Sequence, residues 1–197
     1  GLDRPLLAQF ITYLGEVASG RMGLSFRHPG VPVSEVIGGG LLISPLLAGS
    51  ALLIGAPLGL ALGILAALRR NTALDNGVML VLVAGLSVPN FAMAAFFVWF
   101  FSLKLGWLPV AGWREPANAV LPVVILAIPV AAYIARLGRT FMLEVLRQDY
   151  IRTARAKGLP LRLIVLRHAL RNVLVPILTV LGVILGGLIT GTFVVET

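Results

Sequence analysis

Four long runs of this 197-residue chain contain no Asp, Glu, Lys, Arg or His, and they restrict the fold more than any other feature. The runs are residues 41–68, 78–103, 119–135 and 173–195. About 20 apolar residues let an α-helix cross the hydrocarbon core of a membrane, with a range of roughly 17–25. Buried helices of a large soluble protein are the alternative, but four such runs in a short chain leave little polar surface. The sequence therefore predicts an all-α, polytopic transmembrane helical bundle with four spans.

Composition agrees with this class, because 58% of the residues are hydrophobic and only 12% are charged. A soluble domain is usually about half apolar and a quarter charged. The chain has no cysteine, which excludes disulfides, thiolate nucleophiles and cysteine-ligated metals. Its net charge of +8 is also typical of nucleic-acid binding, so the position of the charges decides what they do.

The basic residues lie in two connections that two spans separate, which predicts that both are on the same side of the membrane. Arg69 and Arg70 precede the first connection, residues 71–77, and residues 136–172 contain nine Lys or Arg. Because cytoplasmic loops carry the Lys/Arg excess, we expect both to be cytoplasmic. Residues 1–40 are then an external, periplasmic segment, and residues 41–197 form the membrane domain with a cytoplasmic loop at 136–172.

An exported first segment without a signal peptide needs something upstream to carry it across the membrane. The apolar residues of this segment recur with a helical period but are too few to span a bilayer. We therefore expect a further transmembrane helix before residue 1, and further sequence after the ending "GTFVVET".

Glycine and proline are frequent inside the spans, where neighbouring helices can satisfy the backbone groups that they free. The fourth span contains two GxxxG patterns, Gly182 with Gly186 and Gly187 with Gly191. Small residues at this spacing allow helices to approach closely. Packing within one bundle is favoured over a dedicated dimer contact.

The second span places three residues that perturb a helix at membrane depth, namely Ser87, Pro89 and Asn90. Proline leaves a backbone carbonyl without its helical donor, and a nearby polar side chain can compensate. Two interpretations have equal support: a bend that lines a polar translocation path, and a kink that satisfies its own hydrogen bonds. In either case Asn90 is expected to face the bundle interior, because its amide is costly towards lipid.

Several chemistries are excluded by what the spans and loops lack. No ionisable side chain lies inside a span, although proton-coupled transporters and charge relays usually need one. The chain has no GxxxxGK[ST] loop for ATP, and His28 and His168 have no metal-ligand spacing to another ligand. We therefore predict a non-catalytic chain without a metal or cofactor of its own, with any energy supplied by a partner.

The large basic loop has a pattern typical of two short helices joined by a glycine turn. Residues 141–157 are compatible with a helix whose face holds Met142, Leu146, Tyr150 and Ala154. Asp149 is placed to cap a shorter helix at 150–157, and Gly158 to end it. Pro160 is placed to begin a second helix that merges with the fourth span.

This pattern favours docking into a groove on a soluble partner. Binding to anionic lipid headgroups is the second interpretation, but topology and headgroups require only charge. Nucleic-acid binding is disfavoured because Tyr150 is the only aromatic residue between Phe141 and Phe193.

The loop also carries a family resemblance. The stretch "QDYIRTARAKGL" followed by "RHALRNVLVPIL" resembles the membrane-spanning permease subunits of binding-protein-dependent ABC importers, in the dipeptide/oligopeptide/nickel branch. "LGEVASGRMGLSFRHPGVPVSEVI" and "GLSVPNFAMA" are similar to the external region and the second span of that branch. The resemblance covers essentially the whole chain and implies the type I ABC importer permease fold with six helices per subunit. The four spans of this chain would then correspond to a subunit that lacks the first and last of these six helices.

In the wider family this loop holds a Glu-Ala-Ala triplet six positions before a glycine. Aligning that glycine with Gly158 puts Arg152, Thr153 and Ala154 on the triplet, so an arginine replaces the glutamate. A proline that often ends the wider motif falls on Arg171. The resemblance implies that residues 149–171 contain the coupling helix, which sits in a cleft of a cytoplasmic ATPase. The coupling residues predicted on this basis are Asp149, Tyr150, Arg152, Thr153, Ala154, Arg155, Lys157, Gly158, Leu159, His168, Arg171 and Asn172.

The implied assembly contains a second permease subunit, two ATPase subunits that bind ATP and Mg²⁺, and an external solute-binding protein. Its location would be the cytoplasmic (inner) membrane of a bacterium or archaeon, and its solute a peptide, a nickel chelate or a sugar. The alternative function is a membrane scaffold or assembly protein that recruits a soluble protein through the basic loop without transport. A secondary transporter is disfavoured by the charge-free spans.

Overall fold

The computed structural model describes residues 5–113 and 115–191, without the side chains of residues 39–42 and 189–191. Within the described residues the fold is all-α, and the only β-type pairing is an isolated antiparallel bridge between Leu24 and Pro32. The helices are α1 (Leu6–Ala18), α2 (Val33–Leu68), α3 (Ala73–Ser87), α4 (Asn90–Phe97), α5 (Val120–Val145), α6 (Asp149–Ala156), α7 (Leu161–Leu163) and α8 (Leu170–Gly191). π-Helical turns follow α4 at Val98–Lys104 and α7 at Ile164–Ala169.

The chain divides into two compact units, Gly1–Pro45 and Leu46–Thr197. The first contains α1, a turn and the start of α2. Within the turn, the Ser25 N–H donates to the Val31 carbonyl at 2.8 Å, and Gly23 and Gly30 adopt positive φ. No residue of α1 is buried among the described residues.

Three helices of the described residues are long and apolar enough to cross a membrane: Val33–Leu68, Pro116–Val145 and Leu161–Leu188. A fourth crossing is formed only if Ala73–Ser87 and Asn90–Lys104 are counted as one span, since they meet at an angle of 97°. The prediction of four spans therefore depends on counting this bent pair as one span, and the bend lies where the sequence predicted it. The cause is Pro89, which disfavours helical geometry at the preceding residue, and Val88 is extended (φ −88°, ψ 121°).

The second unit is held together by α5, which packs against α2, α3 and α8. Val130, Ile134 and Met142 of α5 share one buried cluster with residues of the last helix. Other members of that cluster are Ala56, Ala67, Ile151, Ala154, Ile164, Val165, Ala169, Val173 and Ile177. The same core thus supports both membrane helices and the short helix α6.

Helices α2 and α5 run parallel in direct backbone contact along three glycines. A Cβ atom placed on Gly55 would lie 2.7 Å from the carbonyl oxygen of Ala127. The corresponding distances are 2.3 Å from Gly59 to the Ala131 oxygen and 2.3 Å from Gly63 to the Ala135 oxygen. Only glycine fits at such distances, and the small side chains of α5 opposite make the approach possible.

The packing role predicted for the fourth-span glycines stays a prediction. A Cβ on Gly182, Gly186 or Gly187 would meet no atom within 4 Å in the described structure. The GxxxG spacing is the same in α2 and α8, and among the described residues the α2 glycines lie against a neighbouring helix. The spacing permits close approach and does not select the helix that approaches.

Aromatic residues cluster at the C-terminal end of the bent span, around residues 96–107. Phe97 and Phe101 have ring centroids 5.5 Å apart, and Phe101 packs near Leu121 and Ile125 at the start of α5. The Lys104 ammonium lies 5.5 Å from the centre of the Trp99 ring. Aromatic belts of this kind are typical of the membrane–water interface.

Candidate coupling site at the basic end of the bundle

The two basic connections lie at the same end of the second unit, as the topology argument requires. Asp75, within the 71–77 connection, is in direct contact with Arg139 of α5, with Nε to Oδ1 at 2.7 Å. The sequence interpretation placed Arg136 and Arg139 in a loop. They belong to α5 instead, which continues ten residues past the predicted end of the third span.

The break between α5 and α6 corrects two details of the loop prediction. Residues 146–148 are a turn, so 141–157 is not one helix and Met142, Leu146, Tyr150 and Ala154 do not share a face. Gln148 occupies the N-cap position of α6 without a side-chain cap bond, and Asp149 is the first helical residue. The capping role predicted for Asp149 is therefore wrong, although its carboxylate still lies at the favourable end of the helix dipole.

Helix α6 has one buried face and one exposed face. Ile151 is fully buried and Ala154 is nearly so, in the same cluster as Met142, Ile164 and Ala169. The outer face carries the polar and charged side chains of Asp149, Arg152, Thr153, Arg155 and Lys157. Ala154 was predicted as a coupling residue. Its side chain packs into the core cluster beneath α6 and is not part of the exposed outer face.

The glycine turn is a complete Schellman motif, which confirms the predicted role of Gly158. Gly158 has φ +76°, its N–H donates to the Arg155 carbonyl at 2.9 Å, and the Leu159 N–H donates to the Ala154 carbonyl at 3.3 Å. Leu159 packs against the core cluster, as the residue after the glycine usually does in this motif. Pro160 then precedes α7, as predicted, and the chain continues as helix to Gly191.

A hydrogen bond between side chains connects α6 to the last membrane helix. The Asn172 Nδ2 donates to the Tyr150 hydroxyl oxygen at 2.6 Å and to the His168 carbonyl at 3.4 Å. Arg171 is exposed beside this contact and His168 is half-buried. The predicted coupling residues are thus brought together around α6 and the start of α8.

The exposed charges on α6 add little stability to it. The Asp149–Arg152 ion pair is 3.4 Å long, and both side chains are more than 70% exposed. Exposed pairs of this kind contribute about 0–1 kcal/mol. The outer surface of α6 is therefore a charged surface available to another molecule, and its geometry depends on the apolar face and the glycine turn.

The three residues predicted for a translocation path, Ser87, Pro89 and Asn90, do not form a polar site together in the described structure. Ser87 is exposed and its hydroxyl donates to the Val83 carbonyl at 2.8 Å, which is the self-satisfied arrangement. Pro89 is exposed at the bend, and Asn90, half-buried, is the first residue of α4. The bend itself is confirmed, whereas a path along it stays a prediction.

Sequence reasoning missed Asp75 and the α2 glycines. Asp75 is only 1% exposed, and no periodicity distinguishes it from an ordinary acidic residue near a helix start. Its position three residues after Thr72, in a capping pattern, was the available signal for its place at the beginning of α3.

A comparison with protein families matches residues 59–197 to the family described as "Binding-protein-dependent transport system inner membrane component". The chain belongs to this family. The family assignment agrees with the multi-pass helical membrane fold and with the resemblance of the loop. The family match includes all of α5, the basic connection and α6.

Curated relatives of this chain are similar over essentially its whole length. The dipeptide transport system permease protein DppB of Bacillus subtilis (strain 168) is 44% identical over 195 residues, which cover 99% of this chain and 63% of the relative. The oligopeptide transport system permease protein OppB of Escherichia coli (strain K12) is 40% identical over 198 residues, covering 100% of this chain and 65% of the relative. This chain thus spans less than two thirds of the length of these relatives.

Proposed function

We propose that this chain is part of a permease subunit of an ATP-driven importer for peptides or similar small solutes. The observation that carries the proposal is α6, a short helix with a buried apolar face and an exposed charged face. It is joined to α5 by a three-residue turn and to α7, which continues into α8, by a glycine turn. The similarity to dipeptide and oligopeptide permease proteins supports peptides as the solute class.

In this proposal the basic end faces the cytoplasm and α6 is the coupling helix. The outer face of α6, with Arg152, Arg155 and Lys157, sits in a cleft of a cytoplasmic ATPase subunit. Movement of the ATPase is passed to α5 and α8 through the core that Ile151 and Ala154 share with both helices. The chain performs no chemistry, and ATP and Mg²⁺ bind to the partner subunits.

The complete assembly proposed is two permease subunits, identical or homologous, with two ATPase subunits and an external solute-binding protein. It lies in the cytoplasmic membrane of a bacterium or archaeon. Each permease subunit supplies half of the pathway, which closes and opens on alternate sides as the ATPases engage and separate. The bend at Pro89 is the part of this chain proposed to border that pathway.

The test is ATP-dependent uptake by the full-length subunit, purified with the proteins that bind it and reconstituted into liposomes. Isotope-labelled di- and oligopeptides should accumulate inside the vesicles when ATP is enclosed in the lumen and the binding protein is added outside, for complexes whose ATPase subunits face the lumen. A non-hydrolysable ATP analogue should give no accumulation. Binding of soluble partners without any uptake would support the scaffold function and contradict the proposal.

Orientation gives an independent prediction, because a chain without cysteine can be labelled at single introduced positions. Ala156→Cys is exposed on α6 and should react with a membrane-impermeant maleimide only after the cells are opened. Ser19→Cys, exposed after α1, is the matched control and should react in intact cells. Labelling of Ala156→Cys in intact cells would contradict the cytoplasmic assignment.

A further inference from the structure

Asp75 and Arg139 form a partly buried ion pair that neither the topology nor the coupling surface requires. Arg139 Nε and Nη2 donate to the two carboxylate oxygens of Asp75, each at 2.7 Å, across 64 residues of sequence. The Asp75 side chain is 1% exposed and that of Arg139 is 25% exposed. Orientation depends on Lys and Arg, and acidic residues contribute little to it. The carboxylate therefore has another role.

The carboxylate also organises the turn between α2 and α3. The Asn71 N–H donates to Asp75 Oδ2 at 3.0 Å, and Asn71 has the left-handed φ of +63°. The Asp75 N–H donates to the Thr72 hydroxyl at 3.4 Å, and that hydroxyl donates to the Arg69 carbonyl at 2.6 Å. The Asp75 carboxylate, on α3, thus bonds both the α2–α3 turn at Asn71 and α5 at Arg139.

The pair lies where α2 and α5 are already in backbone contact. A Cβ on Gly63 would be 3.0 Å from the backbone nitrogen of Arg139, so α2 and α5 touch at the level of the pair. Six residues separate Arg139 from Val145, the last residue of α5, which is about 9 Å of helix. The pair is therefore close to the turn that leads into α6, but it is not part of the exposed surface of α6.

We propose that Asp75, acting through Arg139, is a positioning residue for coupling: the pair clamps the α2–α3 turn to α5, so that a displacement of α6 moves α2, α3 and α5 together. This inference rests on the proposed function. A bidentate arginine–carboxylate pair suits the role because its two parallel hydrogen bonds fix orientation as well as distance. Apolar packing at the same place permits more sliding and rotation between the helices.

The first experiment measures the clamp without any partner. Spin labels at Asn76→Cys and Ala156→Cys, both exposed, report the distance between the start of α3 and α6 in the full-length protein in lipid nanodiscs. The parent should give one narrow distance distribution. Asp75→Ala and Arg139→Ala should each broaden it, and the double variant should be no broader than either single variant, because the two residues act through one contact.

Arg136→Ala is the matched control for this experiment. It removes one positive charge from the same helix one turn earlier, and its exposed guanidinium lies 5.6 Å from the Tyr133 ring, a contact separate from Asp75. This variant should keep the parent distribution. Unchanged distributions in Asp75→Ala and Arg139→Ala, or effects that add in the double variant, would overturn the clamp.

The second experiment measures solute transported per ATP hydrolysed in the reconstituted complex. Loss of the clamp should lower this ratio by about 5-fold or more, within the usual range of coupling between sites. The KM for ATP should stay unchanged, whereas a general loss of stability would lower uptake and hydrolysis together and leave their ratio unchanged. A normal ratio in Asp75→Ala would overturn the positioning role.

The two experiments separate failure of this inference from failure of the proposed function. If the parent complex shows no ATP-dependent uptake, the proposed function is wrong, and the distance measurement still decides whether the clamp exists. If the alanine variants do not insert, Asp75→Asn and Arg139→Lys replace them, since each keeps hydrogen-bonding capacity but loses the bidentate ionic contact. These milder variants should broaden the distribution less, and no broadening would overturn the clamp.

Discussion

Replacing Gly59 with alanine should destabilise the membrane domain although the change adds one methyl group. The new Cβ would lie 2.3 Å from the Ala131 carbonyl oxygen and 2.8 Å from its Cα, so the α2 and α5 backbones must separate. Overpacking of a tight interior costs about 1–3 kcal/mol and occasionally more. The loss should appear as a lower midpoint of thermal unfolding of the detergent-solubilised protein.

Gly49→Ala is the matched control on the same helix, because a Cβ there would meet no atom within 4 Å. Alanine is the better helix former by about 1 kcal/mol, so this variant should unfold at the parent temperature or above it. A Gly59→Ala protein as stable as Gly49→Ala would show that α2 and α5 are not in backbone contact. The comparison therefore tests the packing of the bundle independently of any partner.

Gly158→Val should insert normally and bind the proposed ATPase subunit more weakly. A Cβ on Gly158 would meet no atom within 4 Å, so the penalty comes from its φ of +76°. The left-handed conformation costs a residue with a Cβ about 1–2 kcal/mol, and a β-branched side chain fits it least well. If relief of this strain opens the Schellman turn, partner affinity should fall by roughly 5- to 30-fold. Titration of the purified ATPase onto the subunit in nanodiscs measures the change.

Asparagine at the same position provides the control, because it tolerates the left-handed conformation better than other residues with a side chain. Gly158→Asn should bind almost as well as the parent, with Gly158→Ala between it and valine. Equal affinity of the valine variant and the parent, in protein that is correctly inserted, would remove the support for α6 as the docking element.

The membrane class, the all-α fold and the approximate positions of the spans could be predicted from the chain alone. These features depend on local composition, because a run of about 20 apolar residues can span a bilayer wherever it occurs in the chain. The Gly158 turn and the helix after Pro160 were also predictable, because a positive φ and a missing N–H are properties of single residues. The same reasoning places a break at Pro89, but it does not give the 97° angle.

One omission concerns a contact between segments distant in sequence, and two errors concern the turn at residues 146–148. The glycines of α8 have the same spacing as those of α2, and only the arrangement of helices shows that Gly59 faces Ala131. Asp149 was expected to cap α6, but the end of α5 and the turn at 146–148 put Gln148 in that position. Met142 and Tyr150 were assigned to one face of a helix that breaks between them.

The sequence by itself determined that this chain spans a membrane, that its basic connections share one side, and that a helix–glycine–helix element lies in the larger of them. These follow from hydrophobicity, charge and backbone preference, which each residue has before the chain folds. Only the tertiary structure decided that Gly55, Gly59 and Gly63 form the α2–α5 contact and that Asp75 pairs with Arg139. Those contacts join residues that are 64 or more positions apart, and which partners meet depends on how all the helices pack at once.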